Sequence, residues 1–229
     1  EFNRGDNFGN AYFQMNQRAG RRWSGTKAYL RPIRHRSNLT VRVNAHVARI
    51  VVDPADAGRR ATGVALVGTE DVLDARREVI LAAGSIGSPQ ILQLSGIGPG
   101  AVLQDRGIGV VHDLPGVGDN LHDHLQVRTI FKVRNTVTLN RRVNSIFGKA
   151  AMGLEYLLFK TGPLTMPPSQ LGAFAKSDPS RSTANMEWHV QPLSLDKFGD
   201  PLHSFDAITP SVCNLQRPRR GHVRVKSAD

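Results

Sequence analysis

Residues 78–100 read EVILAAGSIGSPQILQLSGIGPG, and the fold turns on how they are read. The run Arg77–Gly84 (REVILAAG) is continuously apolar or small past its first two residues. That pattern predicts a strand covered on both faces, as in a parallel sheet. Ser88 followed by Pro89 predicts a helix start, a cap with proline at the first helical position, and Gly96 predicts its end. A buried strand turning tightly into a helix is how many α/β proteins hold a nucleotide. No complete phosphate-gripping fingerprint accompanies it. The GIGPG of Gly96–Gly100 follows a helix instead of a strand, and Pro99 removes an amide that would face phosphate, so it reads as a helix stop and tight turn.

Outward from this stretch the texture changes twice. Upstream, LTVRVN, HVARIVV and ATGVALVGT between residues 39 and 69 predict a meander of three antiparallel strands. A helix is expected around Ser24–Leu30, with Pro32 at its end. Downstream, a short helix and a strand at Ile108–Val111 lead into a Gly-Val-Gly loop and Asp119-Asn120. After His124, LQVRTIFKV, NMEWHVQP, AITPSVCNL and GHVRVK predict strands, and NSIFGKAAMGLEYLLFK a helix. The fold class expected is therefore α/β joined to α+β. Residues 1–125 would form an α/β nucleotide-binding portion and residues 126–229 a β-rich ligand-binding one.

The chain has 229 residues and a net charge of +11, from 30 basic and 19 acidic side chains. Its arginines come as scattered pairs with no aromatic side chains between them, which argues against nucleic-acid binding. No apolar run approaches the roughly 20 residues that span a membrane. Cys213 is the only cysteine, so no internal disulfide can form, and a small buried residue is the expected role. His112, His122 and His124 cluster in sequence, but a closed zinc site takes about four ligands and none lies close by, so no metal site is expected. No Ser-His-Asp or Cys-His set and no carboxylate pair stands out.

Several segments together resemble the glucose–methanol–choline (GMC) family of FAD-dependent alcohol oxidoreductases. GSIGSPQILQLSGIG at Gly84–Gly98 resembles that family's second signature. RRWSGTKAYLRP, DLPGVGDNLHDH and RPRRGHVRVKSAD resemble its flanking segments, and choline-dehydrogenase-like members are the most similar. The resemblance implies part of an FAD-binding Rossmann-like domain followed by part of a β-rich substrate domain. It also implies a chain whose glycine-rich phosphate loop lies ahead of Glu1 and whose catalytic His lies beyond Asp229, hence a middle portion inactive alone. No catalytic residue is then expected here. Val47, Gly84, Ser85, Asn120, Asp123 and His124 would bind cofactor; Ser169, Gln170, Phe174 and His189 would line the substrate pocket. The implied reaction passes hydride from a primary alcohol to flavin, giving an aldehyde. The acceptor is left open between oxygen and a quinone or electron-transfer chain, and the location expected is cytoplasmic, with membrane association left open. A non-catalytic binding module on the same fold is the alternative.

Two departures from the family pattern matter. Members that bind choline's quaternary ammonium tend to carry a carboxylate where this chain has Gln170. A carboxylate a few ångströms from a cation is worth about 1–4 kcal/mol, which an amide does not supply. Aromatic rings can also hold such a cation. A neutral primary alcohol is the expectation. Arg219 stands where serine is usual in the family's turn.

Overall fold

The computed structural model describes residues 1–228, with strands β1 (Gly9–Tyr12), β2 (Gln17–Arg18), β3 (Arg21–Arg22), β4 (Val47–Val52), β5 (Ala61–Leu66), β6 (Val72–Asp74), β7 (Ile97–Gly98), β8 (His112–Asp113), β9 (Asp119–Leu121), β10 (Leu125–Arg128), β11 (Phe131–Lys132), β12 (Leu171–Ala175), β13 (Met186–Gln191), β14 (Ala207–Asn214) and β15 (Gly221–His222). The helices are α1 (Arg31–Ile33), α2 (Gly84–Leu94), α3 (Gly100–Asp105), α4 (Leu139–Asn144) and α5 (Ile146–Phe159). The chain gathers into two compact units, each discontinuous. One joins Glu1–Leu39 to His124–Gln216; the other joins Thr40–Asp123 to the segment from Arg217 onward. The sequence reading divided the chain once, at residue 125.

The first unit is built on an antiparallel sheet in the order β1-β12-β13-β14-β10, with β11 also on β14. The central strand β14 alternates strictly: Ala207, Thr209, Ser211 and Cys213 are buried while Ile208, Pro210, Val212 and Asn214 are half-buried. Ser145 caps α5 by accepting from the Gly148 amide, and Lys160 ends it in the left-handed region. Burial here is unusually polar. Asn140, Asn185, Ser194, Thr209 and Ser211 are almost fully buried, and each is hydrogen-bonded or sits in a ladder, as buried polar groups must be.

Asp206 anchors this core to α4. Its carboxylate accepts from the Thr138 amide at 2.8 Å and the Thr138 hydroxyl at 2.9 Å, and Arg141 pairs with it. The Thr138 amide above all, with the Thr138 hydroxyl and Arg141, holds Asp206 below its usual 3.8, against burial, which pushes the other way. A depressed folded-state value stabilises the fold above the unfolded-state value and ceases to do so as pH falls through the folded one. The stability gap between the native chain and Asp206→Asn should thus be full near about pH 6 and close progressively below about pH 4. Denaturant titrations across that range check it; a gap that does not change with pH would contradict it.

The second unit holds the meander β4-β5-β6, with α2 packed on β4. The Ser95 hydroxyl accepts from the Ile50 amide at 2.8 Å, which ties the end of α2 to the sheet. Ile50, Leu66, Leu103 and Val117 are its buried apolar residues. Gly96, at φ +78°, turns the chain after α2 into β7, which pairs in parallel with β8. A Cβ there would lie 2.3 Å from the Gly109 carbonyl oxygen, so only glycine fits.

Five local expectations are corrected. Residues 39–44 form no strand, Val43 is exposed, and the third strand of the meander is β6. The apolar run Glu78–Ala83 pairs with no strand among the described residues and Ile80 is 81% exposed; an isolated strand has no partner for its amides and carbonyls. Helix α2 starts at Gly84, so Pro89 lies inside it, and the Ser88 hydroxyl accepts from the Ala83 amide instead of capping. Pro32 lies within the helical segment that runs from a π turn at Thr26–Leu30 straight into α1, instead of closing the helix expected there, and β8 replaces the strand expected at Ile108–Val111.

Candidate functional site

In the second unit, Ser85 and Asn120 line one cavity of about 220 Å³, with Pro89, Gly118, Asp119, Leu121, His122 and Val223 around them. Leu121 and His122 also border a second cavity, of about 430 Å³, whose lining includes Asp123, Ile86 and the arginines Arg217, Arg219 and Arg220. These cavities lie at the N-terminus of α2, whose first amides have no side-chain cap. Open amides at a helix start, beside guanidinium groups, favour an anionic ligand. Gly84, φ +81°, is the first residue of that helix and a Cβ there would meet nothing within 4 Å. Asn120 also has a positive φ, of 62°. Val47 opens β4 and lines neither cavity. His124 belongs to the other unit.

That other unit contains a larger cavity, about 730 Å³, lined by Phe13–Gln17, Arg22, Leu164–Ser169 and His189. Ser169 and His189 both line it. Gln170 and Phe174 do not line it. The Gln170 carbonyl accepts from the Phe13 amide at 2.8 Å, so that backbone positions the cavity wall. Phe174 packs behind the wall, edge-on to Phe2 at 4.8 Å and to Phe13 at 6.4 Å. Phe13, in turn, lies 5.1 Å from the His189 ring.

Behind His189 runs a polar sheet face that the sequence reading did not assemble. Register places Gln191 opposite Thr209, His189 opposite Ser211, and Glu187 opposite Cys213 on β13 and β14, while Gln126 and Arg128 of β10 face Cys213 and Ser211. Glu187 accepts from or pairs with His189 at 3.2 Å, and Gln191 donates to the Ser169 hydroxyl at 2.8 Å. A buried polar face is the informative departure from an apolar interior. Its signal was present in EWHVQ, whose alternate residues Glu187, His189 and Gln191 are all polar. Phe13, Gln17 and Arg22 were missed as well.

The GMC oxidoreductase family model matches residues 1–126. Over 212 residues the chain is 38% identical to an oxygen-dependent choline dehydrogenase of Brucella ovis, a match that covers 92% of this chain and 38% of that protein. It is 33% identical over 234 residues to an alcohol dehydrogenase [acceptor] of Pseudomonas putida, covering the whole chain and 42% of that protein. The chain thus spans about two fifths of the length of the curated relatives it matches. A formate oxidase from Aspergillus oryzae superposes with a TM-score of 0.84 at 23% identity, over 98% of this chain and 43% of that one. Pyridoxine 4-oxidase from Mesorbium loti gives 0.75 at 24%, over 98% and 40%. The shared architecture extends the likeness beyond residue 126, and the signature-bearing α2 lies within the matched segment: the chain belongs to the GMC oxidoreductase family.

Proposed function

We propose that the protein carrying this chain is an FAD-dependent oxidoreductase that converts a neutral primary alcohol to its aldehyde. FAD, when bound, accepts the hydride from the alcohol carbon. The residues present suit such a ligand: uncapped amides at the start of α2 and three arginines face cavities bordered by Ser85, Asn120 and Asp123. We assign Ser85, Asn120 and Asp123, with Gly84 and Val47, to the cofactor side of the second unit. Ser169 and His189 are assigned to the alcohol pocket, with Gln170 and Phe174 holding its wall. Glu187 fixes the orientation of the His189 ring through their 3.2 Å contact. No helix among the described residues is long and apolar enough to cross a membrane.

One observation carries the choice of alcohol. Among the residues lining the 730 Å³ cavity, Arg22 is the only Lys, Arg, Asp or Glu side chain. Choline is the substrate named for several relatives. A quaternary ammonium entering here meets a guanidinium and no carboxylate, and loses the 1–4 kcal/mol, approximately, that an acidic partner would supply. The test compares initial rates on a short neutral primary alcohol and on choline, using the complete protein, an artificial acceptor, and oxygen in a parallel series. The neutral alcohol should lead by about tenfold or more in kcat/KM. Preference for choline would overturn the assignment, and no oxidation of either would overturn the reaction class.

A further inference from the structure

The polar face behind the alcohol pocket continues beyond His189 to a cluster with a different chemistry. His124, Glu187 and Cys213 each offer one donor atom, and the three atoms lie within 4.8 Å of one another. They come from separate stretches of chain that one sheet brings together. Cys213 is on the central strand β14; Glu187 is directly across from it on β13; His124 is two residues ahead of Gln126, which faces Cys213 from β10. Two-residue alternation puts all of them on one face of the sheet.

The surroundings differ across the cluster in a way that suits an ion. Cys213 is 3% exposed and the Glu187 side chain 13% exposed, whereas His124 is exposed. A cation held between the carboxylate and the sulfur would favour the thiolate and deprotonate it on binding. Glu187 already pairs with His189 at 3.2 Å, the kind of supporting contact that orients a metal-binding carboxylate.

We propose that His124, Glu187 and Cys213 form a zinc-class divalent metal site on the β10–β14–β13 face, with a fourth position open to solvent. Imidazole, carboxylate and thiolate together suit zinc better than calcium or magnesium, which take oxygen ligands. Bonds of about 2.0–2.3 Å place tetrahedral donors about 3.3–3.8 Å apart, so donors within 4.8 Å of one another need to draw in by about 1 Å at most on binding. The Cys213 proton leaves as the metal–sulfur bond forms. Occupancy clamps three strands together through the carboxylate that also pairs with His189. No local spacing in the sequence marks the set, because the partners of His124 lie 63 and 89 residues away along the chain.

The test uses the complete flavin-loaded protein, freed of metal with a chelator and titrated with Zn²⁺ and, separately, Co²⁺. One ion should bind per chain, and bound Co²⁺ should show the near-ultraviolet charge-transfer absorption of a thiolate ligand. Cys213→Ser should abolish that absorption, and His124→Gln should weaken binding at least about tenfold. His124 is exposed, so its variant carries the test even if Cys213→Ser does not fold. No uptake, uptake without the thiolate absorption, or unchanged affinity in His124→Gln would each overturn the site. Flavin content and alcohol oxidation are measured alongside, and their loss or retention has no bearing on the metal result.

Discussion

Replacing Gln93 with leucine will destabilise the second unit by about 1–3 kcal/mol, because a fully buried side chain loses both its hydrogen bonds and the Val225 amide is left without its partner. Gln93 is fully buried inside α2. Its side-chain amide donates to the Val223 carbonyl at 3.0 Å and its carbonyl accepts from the Val225 amide at 3.1 Å. One side chain thus stitches the helix to a segment 130 residues away. Leucine matches the volume closely but makes neither bond; the Val223 carbonyl keeps only the Arg224 guanidinium, at 3.1 Å. Val223 also donates to the Gly118 carbonyl at 2.7 Å and borders the cavity that Ser85 and Asn120 line. The variant should therefore lose flavin more readily as well as unfold earlier in urea. Gln90→Leu, on the exposed side of the same helix, is the control and should stay within about 0.5 kcal/mol of the native chain. Equal effects at the two positions would contradict the account.

The second large effect belongs to Asn140, fully buried at the start of α4. Its amide nitrogen donates to the Ser194 hydroxyl at 2.8 Å and the Phe205 carbonyl at 2.9 Å, and its oxygen accepts from the Ser194 amide at 2.8 Å. Asn140→Ala leaves the buried Ser194 amide without its partner, removes a bond to the Ser194 hydroxyl and opens a void, for a loss of about 2–4 kcal/mol. Asn144, one helical turn on, offers a sharp comparison. It donates to the His203 carbonyl at 2.9 Å in much the same manner, but from an exposed position. Water replaces what Asn144→Ala removes, so that variant should cost about 1 kcal/mol or less. Denaturant midpoints of the two variants, measured side by side, decide the matter. Similar losses would mean that burial is not what makes Asn140 important.

The contrast between these residues also shows what the sequence could disclose. Strands β13 and β14 and helix α5 were legible because alternation and a 3.6-residue period survive in each segment by itself. The signature Gly84–Gly98 was legible as a family pattern, and the helix it contains is present. The strand read into Glu78–Ala83 was not realised, since an apolar run states a preference for burial and says nothing about which edge will pair with it. Pro89 misled in the opposite direction, as a helix start that turned out to be a helix interior. Of the residues that line the larger cavity, Ser169 and His189 could be named from motif position, while Phe13 and Arg22 could not, because the segments around β1 and β3 reach the cavity only through tertiary folding. Glu187, Cys213 and His124 could not be associated by any local rule. Their proximity follows from strand order and register, which no short window of sequence contains.

The central claim is that this chain forms the cofactor wall of a flavoenzyme, and the most direct measurement is the flavin content of the complete protein. The purified protein is denatured, and the released chromophore is identified by chromatography and counted against protein. The account predicts one FAD per chain, with the amount retained after dialysis falling in Gln93→Leu and unchanged in Gln90→Leu. A fully folded protein that carries no flavin, and takes none up when FAD is supplied, would contradict it.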